Sequence, residues 1–464
     1  MAYNTRARSQ CKLSPTERAR RARKRVRRRA RPVGDPRPSG LLSFLQFVRT
    51  IGVLDWFQAR VVERAPQAVF HTTGCFLALL VRAIVGIGGM GDLVVYLCKE
   101  ELGAALGFEK ELTFTNPISD LMKNFSEVMV NQLLRELIAT LVLAGVAIGE
   151  LVAIDSTFLQ VFGKTYESAA RGYSGHLGKT ALGYKLHLLY DVQLRLPLAI
   201  WITPGNVSDA SSIEVLRDRL VAAIGKRPNQ TYVLDRGYFS PEELGKLARD
   251  GMFFVCRAKL WPKYITSFVD SLQDGDFRPV TRKFRIASTL VIEPTQGRLL
   301  LLVVIRHVSF PKPLALVTNA IDMRPAQVYA LYRKRFYIEA AFQELRGKWH
   351  LNRFVGTDYS QVAAHVGMAV LGLALHRSFR QCLQQRTALA GIKAIRTKIY
   401  TAVQPEVPAG ISSNQLSRLP LDRLQRELVK LLQAGATTVR AVLMHFLGTS
   451  FPKLKIQIAF CMEP

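Results

Sequence analysis

Leu151-Val-Ala-Ile154-Asp155 is a short apolar run that stops on a carboxylate, and Thr231-Tyr-Val-Leu234-Asp235 repeats that pattern further along the chain. Runs of this kind, bounded by polar residues, read as strands buried on both faces. Around them, Tyr184–Asp191 and Leu196–Thr203 read as strands, and their short connection implies an antiparallel hairpin. Helical spacing fits Asp209–Ala223 and Pro241–Asp250, and Met252–Arg257 reads as a further strand. The order β-β-β-α-β-α-β predicts an α/β fold with a mixed sheet flanked by helices. Asp155 and Asp235 are read as the last residues of their strands, which is where such sheets build sites.

Outward from this core, residues 258–320 carry strands, notably Leu299–Ile305, and no clear helix. A long helix is predicted from Arg324-Pro325 to about Lys348, and the chain beyond 360 reads as helical, broken at Ser412-Ser413 and Pro420. On the other side, residues 41–148 read mainly as helices. Thr115-Asn116-Pro117 looks like a helix start, with proline early in the first turn, and Asn131–Val142 has apolar positions at helical spacing. Gly74–Met90 is interrupted by Arg82, and Ala139–Ile154 by Glu150. Neither reaches the roughly 18 uninterrupted apolar residues expected of a membrane span. They are expected to be buried helix and strand, and no membrane partner is expected.

The 464 residues suggest about three domains. With 49% hydrophobic residues the chain can bury a large core, which excludes wholesale disorder. Lys and Arg total 64 against 35 Asp and Glu, so the net charge is +29 and the pI about 10.2. That excess points to a polyanion, with nucleic acid first and an anionic membrane surface second. Between Arg6 and Arg31 there are 13 basic residues and one acidic residue, Glu17, so this arm alone carries +12. It reads either as a solvated tail or as a non-specific phosphate-binding arm. Pro32, Pro36, Pro38 and Gly40 close it as a linker. The N-terminus is basic, but no apolar segment follows within its first thirty residues, so no secretory signal is expected. The cysteines at 11, 75, 98, 256, 382 and 461 form no CxxC and no zinc-knuckle spacing, as expected for scattered reduced thiols in the cytoplasm.

Two carboxylates brought together at strand ends repel and raise each other's pKa unless a cation sits between them. A few carboxylate oxygens with room for water and phosphate suit Mg²⁺, with Mn²⁺ as a substitute. A third carboxylate is offered by the long helix. At 100° per residue, Tyr332, Arg335, Glu339, Phe342 and Arg346 fall in a stripe about 80° wide. One acid between two guanidiniums and a phenol suits a phosphodiester partner. The alternative is a solvated ion-pair ladder between Glu339 and Arg335 at i, i+4.

The motifs then accumulate in order. Ile154-Asp155-Ser156-Thr157, Gly183-Tyr184-Lys185-Leu186-His187, Thr203-Pro204-Gly205-Asn206-Val207-Ser208-Asp209, Leu234-Asp235-Arg236-Gly237-Tyr238 and Phe254-Val255-Cys256-Arg257 precede Tyr332-x2-Arg335-x3-Glu339-x6-Arg346. Over about 151–356 the chain resembles the DDE transposases of bacterial insertion sequences, in the branch with the Tyr-x2-Arg-x3-Glu-x6-Lys signature, the insertion-sequence-four family.

The resemblance implies an RNase H-like core with a β-rich insertion before the last catalytic helix. It implies that Asp155, Asp235 and Glu339 are the catalytic and metal-holding triad, and that Tyr332, Arg335 and Arg346 contact DNA. Arg346 stands where the family has Lys, with Lys348 two residues on, so charge is kept while an Arg fork replaces a point charge. Phe336 stands where the family usually has Trp, which keeps an aromatic for packing. The implied reaction is Mg²⁺-dependent cleavage of DNA and joining of 3′-OH ends to target DNA. The implied partners are the element's terminal inverted repeats, target DNA and a second copy of the chain assembled on DNA, through the helical tail Leu416–Leu447. The implied location is the bacterial cytoplasm, on the nucleoid.

The expected organisation is a basic arm and linker at 1–40 and a helical DNA-binding domain at 41–148. A catalytic core follows at 149–356, with its insertion at about 258–320, and a helical region occupies 357–464. Among single residues, His187 reads as a packed sheet histidine, Asp191 as a hairpin residue, Asp209 as an N-cap or near-site support, and Trp349 as helix-end packing in preference to base stacking. Arg236 and Arg257 fit either phosphate contact or ion pairing at the sheet rim. Rival readings are a catalytically decayed DNA-binding relic, a membrane- or RNA-associated structural protein, and an RNase H-type nuclease without strand transfer.

Overall fold

The computed structural model describes residues 39–403 apart from 63–71, 88, 100–101, 109–114, 144–145, 164, 176–177, 309–312 and 355. The basic arm and the tail containing Ser412, Pro420 and Leu416–Leu447 lie outside the described residues. Among the described residues seven helices come first: α1 (Ser39–Thr50), α2 (Val53–Val62), α3 (Thr72–Val85), α4 (Met90–Lys99), α5 (Leu102–Ala105), α6 (Asn116–Asn124) and α7 (Glu127–Leu143). Proline opens α6, as the sequence led one to expect.

The sheet follows, with β1 (Leu151–Gln160), β2 (Ala170–Ser174), β3 (Lys179–Asp191) and β4 (Leu196–Pro204), then α8 (Ser212–Ile224), β5 (Thr231–Leu234), α9 (Pro241–Arg249) and β6 (Phe253–Arg257). Next come α10 (Lys263–Ser271), β7 (Arg278–Pro279), β8 (Phe284–Glu293), β9 (Arg298–His307), β10 (Leu314–Thr318), α11 (Pro325–Lys334), α12 (Phe336–Gly347) and α13 (Tyr359–Val403).

All ten strands of the described residues join one mixed sheet in the order β2-β3-β1-β5-β6-β10-β9-β8-β7, with β4 also pairing β3. β1, β5 and β6 are parallel, and β3 runs antiparallel to β1. β2 pairs the first half of β3 and β4 the second half, along the same edge. Where they meet, the backbones touch: a Cβ on Gly172 would lie 1.8 Å from the carbonyl oxygen of Gly205, so neither strand end tolerates a side chain there.

Four expectations need correcting. β1 does not stop at Asp155 but continues to Gln160, because Asp155–Gln160 pairs with Gly183–Leu188 of β3. The strand β2 was not foreseen, since Ala170-Arg-Gly-Tyr-Ser174 has no apolar alternation. Residues 258–320 contain a helix, α10, and their strands extend the central sheet through β6–β10 pairing. The long helix is two helices meeting at Arg335, where two i→i+3 bonds tighten the backbone: Arg335 N–H to the Tyr332 carbonyl and Ile338 N–H to the Arg335 carbonyl.

One hydrophobic core runs through the helices of 39–143, the sheet and α13. α7 docks on β4 with a polar clamp. The Asn131 side chain accepts from Ile200 N–H at 3.0 Å and donates to the Ile200 carbonyl at 3.1 Å, and Glu127 accepts from Ile202 N–H at 2.7 Å. The open edge of β4 is therefore satisfied by side chains. Tyr359–Gln381 of α13 is long and apolar enough to cross a membrane, but 83% of that window is buried in the protein. It packs on β4 and α7, as a core helix does.

Candidate functional site

Ile154 pairs with Leu234 across the parallel β1–β5 ladder, which puts Asp155 and Asp235 side by side on neighbouring strands. The α11–α12 junction crosses this edge and adds Tyr332, Arg335 and Glu339. The Arg335 guanidinium lies in the middle of the group. One of its nitrogens donates to Asp155 Oδ2 at 2.7 Å and the other donates to Glu339 Oε1. The Tyr332 hydroxyl donates to Asp235 Oδ1 at 3.0 Å, and the Arg335 cation sits 5.6 Å from the Tyr332 ring. Arg257, at the end of β6, reaches within 3.9 Å of Asp235. Arg335 thus bridges two carboxylates of the expected triad, Asp155 and Glu339, while the third, Asp235, is held on the neighbouring strand by Tyr332. Tyr332 and Arg335 face those carboxylates.

Burial dominates the electrostatics. It pushes the Asp155 carboxyl up to about 7, and the negative charges of Asp235 and Glu339 add to the rise, while Arg335 and the Ser156 N–H oppose it. Burial also works against the Arg335 charge, but the surrounding carboxylates outweigh it and hold the guanidinium above its ordinary value. Tyr332 is raised by burial and by Asp235, so its hydroxyl remains a donor.

Beneath Asp155 lies a support not foreseen as a unit. Asp209 Oδ1 accepts from the Ser156 hydroxyl at 2.9 Å and from Lys185 Nζ at 3.0 Å, and Lys185 also donates to the Val207 carbonyl at 2.8 Å. His187 is fully buried beside them, bonded to the Thr203 hydroxyl at 3.0 Å and stacked near Trp201. Burial lowers its pKa to about 4, so it is a neutral packed histidine. The available signal was period two: Lys185 and His187 share one face of β3. Asp209 is a near-site support, and its carbonyl, not its side chain, accepts from Ser212 at the start of α8. Asp191 holds the hairpin through Gln193 N–H and Leu194 N–H at 2.9 and 2.7 Å.

The far end of α12 behaves differently. Arg346 is half-buried, its pKa is lowered by burial, its Nε has no hydrogen-bond partner, and it has no ion-pair partner among the described residues. Lys348 is exposed two residues further on. Trp349 is buried against Gly372 and His376 of α13, as helix-end packing. Phe336, expected to pack, is instead 60% exposed. It follows Arg335 at the start of α12 and, with Tyr337, lies on the outward side of a first turn whose inward residue is the buried Ile338.

Among the described residues, no three His, Cys, Asp or Glu side chains stand close enough to hold a metal ion. The donors available at the strand ends are hard carboxylate oxygens, the ligand type that Mg²⁺ prefers, and the Arg335 guanidinium occupies the space between Asp155 and Glu339.

Residues 148–375, the sheet with its closing helices, match the model of the Transposase DDE domain family. A protein of Sinorhizobium fredii (strain NBRC 101917 / NGR234) named "Putative transposase y4zB" is 25% identical over 201 residues, covering 42% of this chain. The match spans 53% of that relative's length. Among solved structures, the piggyBac transposase in a synaptic complex with hairpin DNA aligns with 86% of this chain and 85% of its own, at 12% identity and a TM-score of 0.39.

Proposed function

We propose that this chain is a DDE transposase of an insertion sequence, in the insertion-sequence-four branch, cleaving DNA phosphodiesters and joining 3′-OH ends to target DNA. The observation that carries the reading is that one helix turn engages all three carboxylates at one sheet edge, Arg335 bonding Asp155 and Glu339 and Tyr332 bonding Asp235, within a region matching a transposase domain. The strand order β4-β3-β1-β5-β6, with β1, β5 and β6 parallel, supports an RNase H-like core.

Asp155, Asp235 and Glu339 would hold Mg²⁺. When bound, the metal supplies activation of the attacking oxygen and neutralisation of the leaving oxygen in an in-line displacement. The remaining work falls to the chain's own side chains. Arg346 and Lys348 bind DNA phosphate; Arg346 already lacks an anionic partner among the described residues. Arg335 and Tyr332 hold and orient the carboxylates until DNA arrives, when Arg335, whose fork pairs with carboxylate or phosphate alike, passes from Asp155 to phosphate. Lys185, Asp209 and Ser156 fix the strand segment that bears Asp155. Two element ends must be held together for transposition, which calls for a dimer assembled on DNA, on the nucleoid.

The test is cleavage of a plasmid carrying the element's terminal inverted repeats with Mg²⁺ or Mn²⁺. Wild type nicks at the element ends, and Glu339→Ala binds the same DNA without cutting it. Normal cleavage by Glu339→Ala overturns the site assignment. Wild-type protein that binds DNA and never cuts identifies a decayed relic.

A further inference from the structure

The outer half of the sheet carries charge that the proposed chemistry does not use. β9 runs parallel to β6, and β8 runs antiparallel to β9. The end of β9 and the start of β8 therefore lie at the same edge of the sheet as Asp155 and Asp235. At that edge Arg285 of β8 stands directly opposite Arg306 of β9, both exposed. Directly opposed like charges on one sheet face repel. Arg278 of β7 and Arg282 of the β7–β8 turn crowd the same end. Asp274 pairs with Arg306, whose guanidinium also lies 4.3 Å from the Phe277 ring. Arg278, Arg282 and Arg285 have no ion-pair partner among the described residues. Between this cluster and the carboxylates lie Arg257 and Lys259, at the end of β6.

We propose that this edge is a DNA track, leading from the carboxylates across β6 to the Arg278–Arg282–Arg285 cluster and gripping the phosphate backbone of duplex DNA that enters the site. The proposal rests on the reading of the chain as acting on DNA. Four inter-strand steps separate β5 from β8, about 19 Å at roughly 4.8 Å per step. At about 3.4 Å per base pair, the cluster meets the backbone roughly six base pairs from the reacting phosphate. A polyanion at this edge relieves the repulsion between Arg285 and Arg306, which the folded protein otherwise tolerates with one carboxylate, Asp274, as counterion. Arginine forks suit phosphate, and contacts of this kind position a duplex without reading its sequence.

The experiment measures binding of a duplex of about 30 base pairs of arbitrary sequence, by fluorescence anisotropy across a sodium chloride series, for full-length protein. Each phosphate contact contributes about 0.9 to the slope of log K against log salt. The triple variant Arg278→Ser/Arg282→Ser/Arg285→Ser should therefore lose about 2.7 from the slope, and the matching triple Lys variant should keep most of it. Should the triple variant fold poorly in a thermal melt, Arg282→Ser in the exposed turn alone should lose about 0.9. An unchanged slope and affinity in the folded Ser variants overturns the track. Cleavage by Asp155→Asn in parallel separates the two ideas. An unchanged slope with cleavage lost in Asp155→Asn sinks the track alone, whereas a reduced slope with cleavage retained leaves the track and sinks the catalytic assignment.

Discussion

β1, β5 and β6 in the inner half of the sheet are parallel, linked through helices, and bounded by the carboxylates; β10, β9, β8 and β7 in the outer half are antiparallel neighbours, and their site-side edge is basic. The two halves meet at the β6–β10 ladder, where Val317 faces Cys256. The inner half needs helices on its faces because parallel strands are connected by crossovers, which makes its strands uniformly apolar. The outer half builds its hairpin locally and leaves Leu290, Ile292 and Leu299 exposed. Burial in the inner half raises the Asp155 carboxyl, whereas the arginines of the outer half stand in solvent. One sheet thus carries both a half-buried group of carboxylates and a solvated basic rim.

The largest expected effect lies in the inner half. Asp155→Asn should reduce divalent-metal-dependent cleavage by at least about 10³-fold while DNA binding persists, as losing several kcal/mol of charge stabilisation requires. Cleavage within tenfold of wild type would break the division of labour between the halves.

Next comes cooperativity. Leu189→Ala in β3 and Leu302→Ala in β9 each remove a fully buried side chain and should each cost about 3 kcal/mol. Since β10 ties the halves together, both should shift one common unfolding transition in urea. Two separable transitions would show that the outer half is a domain of its own.

Acid–base linkage gives a smaller effect. Asp155 has a folded pKa of about 7, above its unfolded value, so its ionisation costs stability progressively as pH rises from about 4 to about 7. In metal-free buffer at pH 7.5, Asp155→Asn should therefore melt about 2 °C higher than wild type or more, and the gain should vanish near pH 4. A lower melting temperature at pH 7.5 would mean that the Arg335 pairing outweighs burial. The smallest effect belongs to the outer surface: Leu290→Thr, at a position 51% exposed, should change stability by less than about 0.5 kcal/mol in the same titration.

Much of the inner half was legible in the sequence because hydrophobic periodicity and hairpin spacing are local. The strands at Leu151, Tyr184, Leu196, Thr231 and Phe253 and the helices between them follow from such patterns. β2 was illegible because Arg171, Gly172 and Tyr173 are placed by β3, not by their own pattern. α10 was missed because Ile265, Thr266, Phe268 and Val269 favour strands, although Ile265, Phe268, Val269 and Leu272 stand at helical spacing. At the site, the gathering of Asp155, Asp235 and Glu339 was expected from the motifs. The Arg335–Glu339 pair at i, i+4 was the alternative reading and is formed; that Arg335 also reaches Asp155 was not expected, because helix arithmetic gives a face but not whether that face meets phosphate or carboxylate. The break at Arg335 was equally invisible, since Arg335-Phe-Tyr-Ile338 contains neither glycine nor proline.

The position of α13 has a consequence for how the chain folds. β4 is covered by α7, made before it, and by α13, made more than 150 residues after it. Until α13 has left the ribosome, β4 has only part of its cover. Folding is therefore governed by contacts of long sequence separation, which are slow to form and favour completion after synthesis. A nascent chain halted before α13 would present a sticky sheet rather than a smaller folded protein.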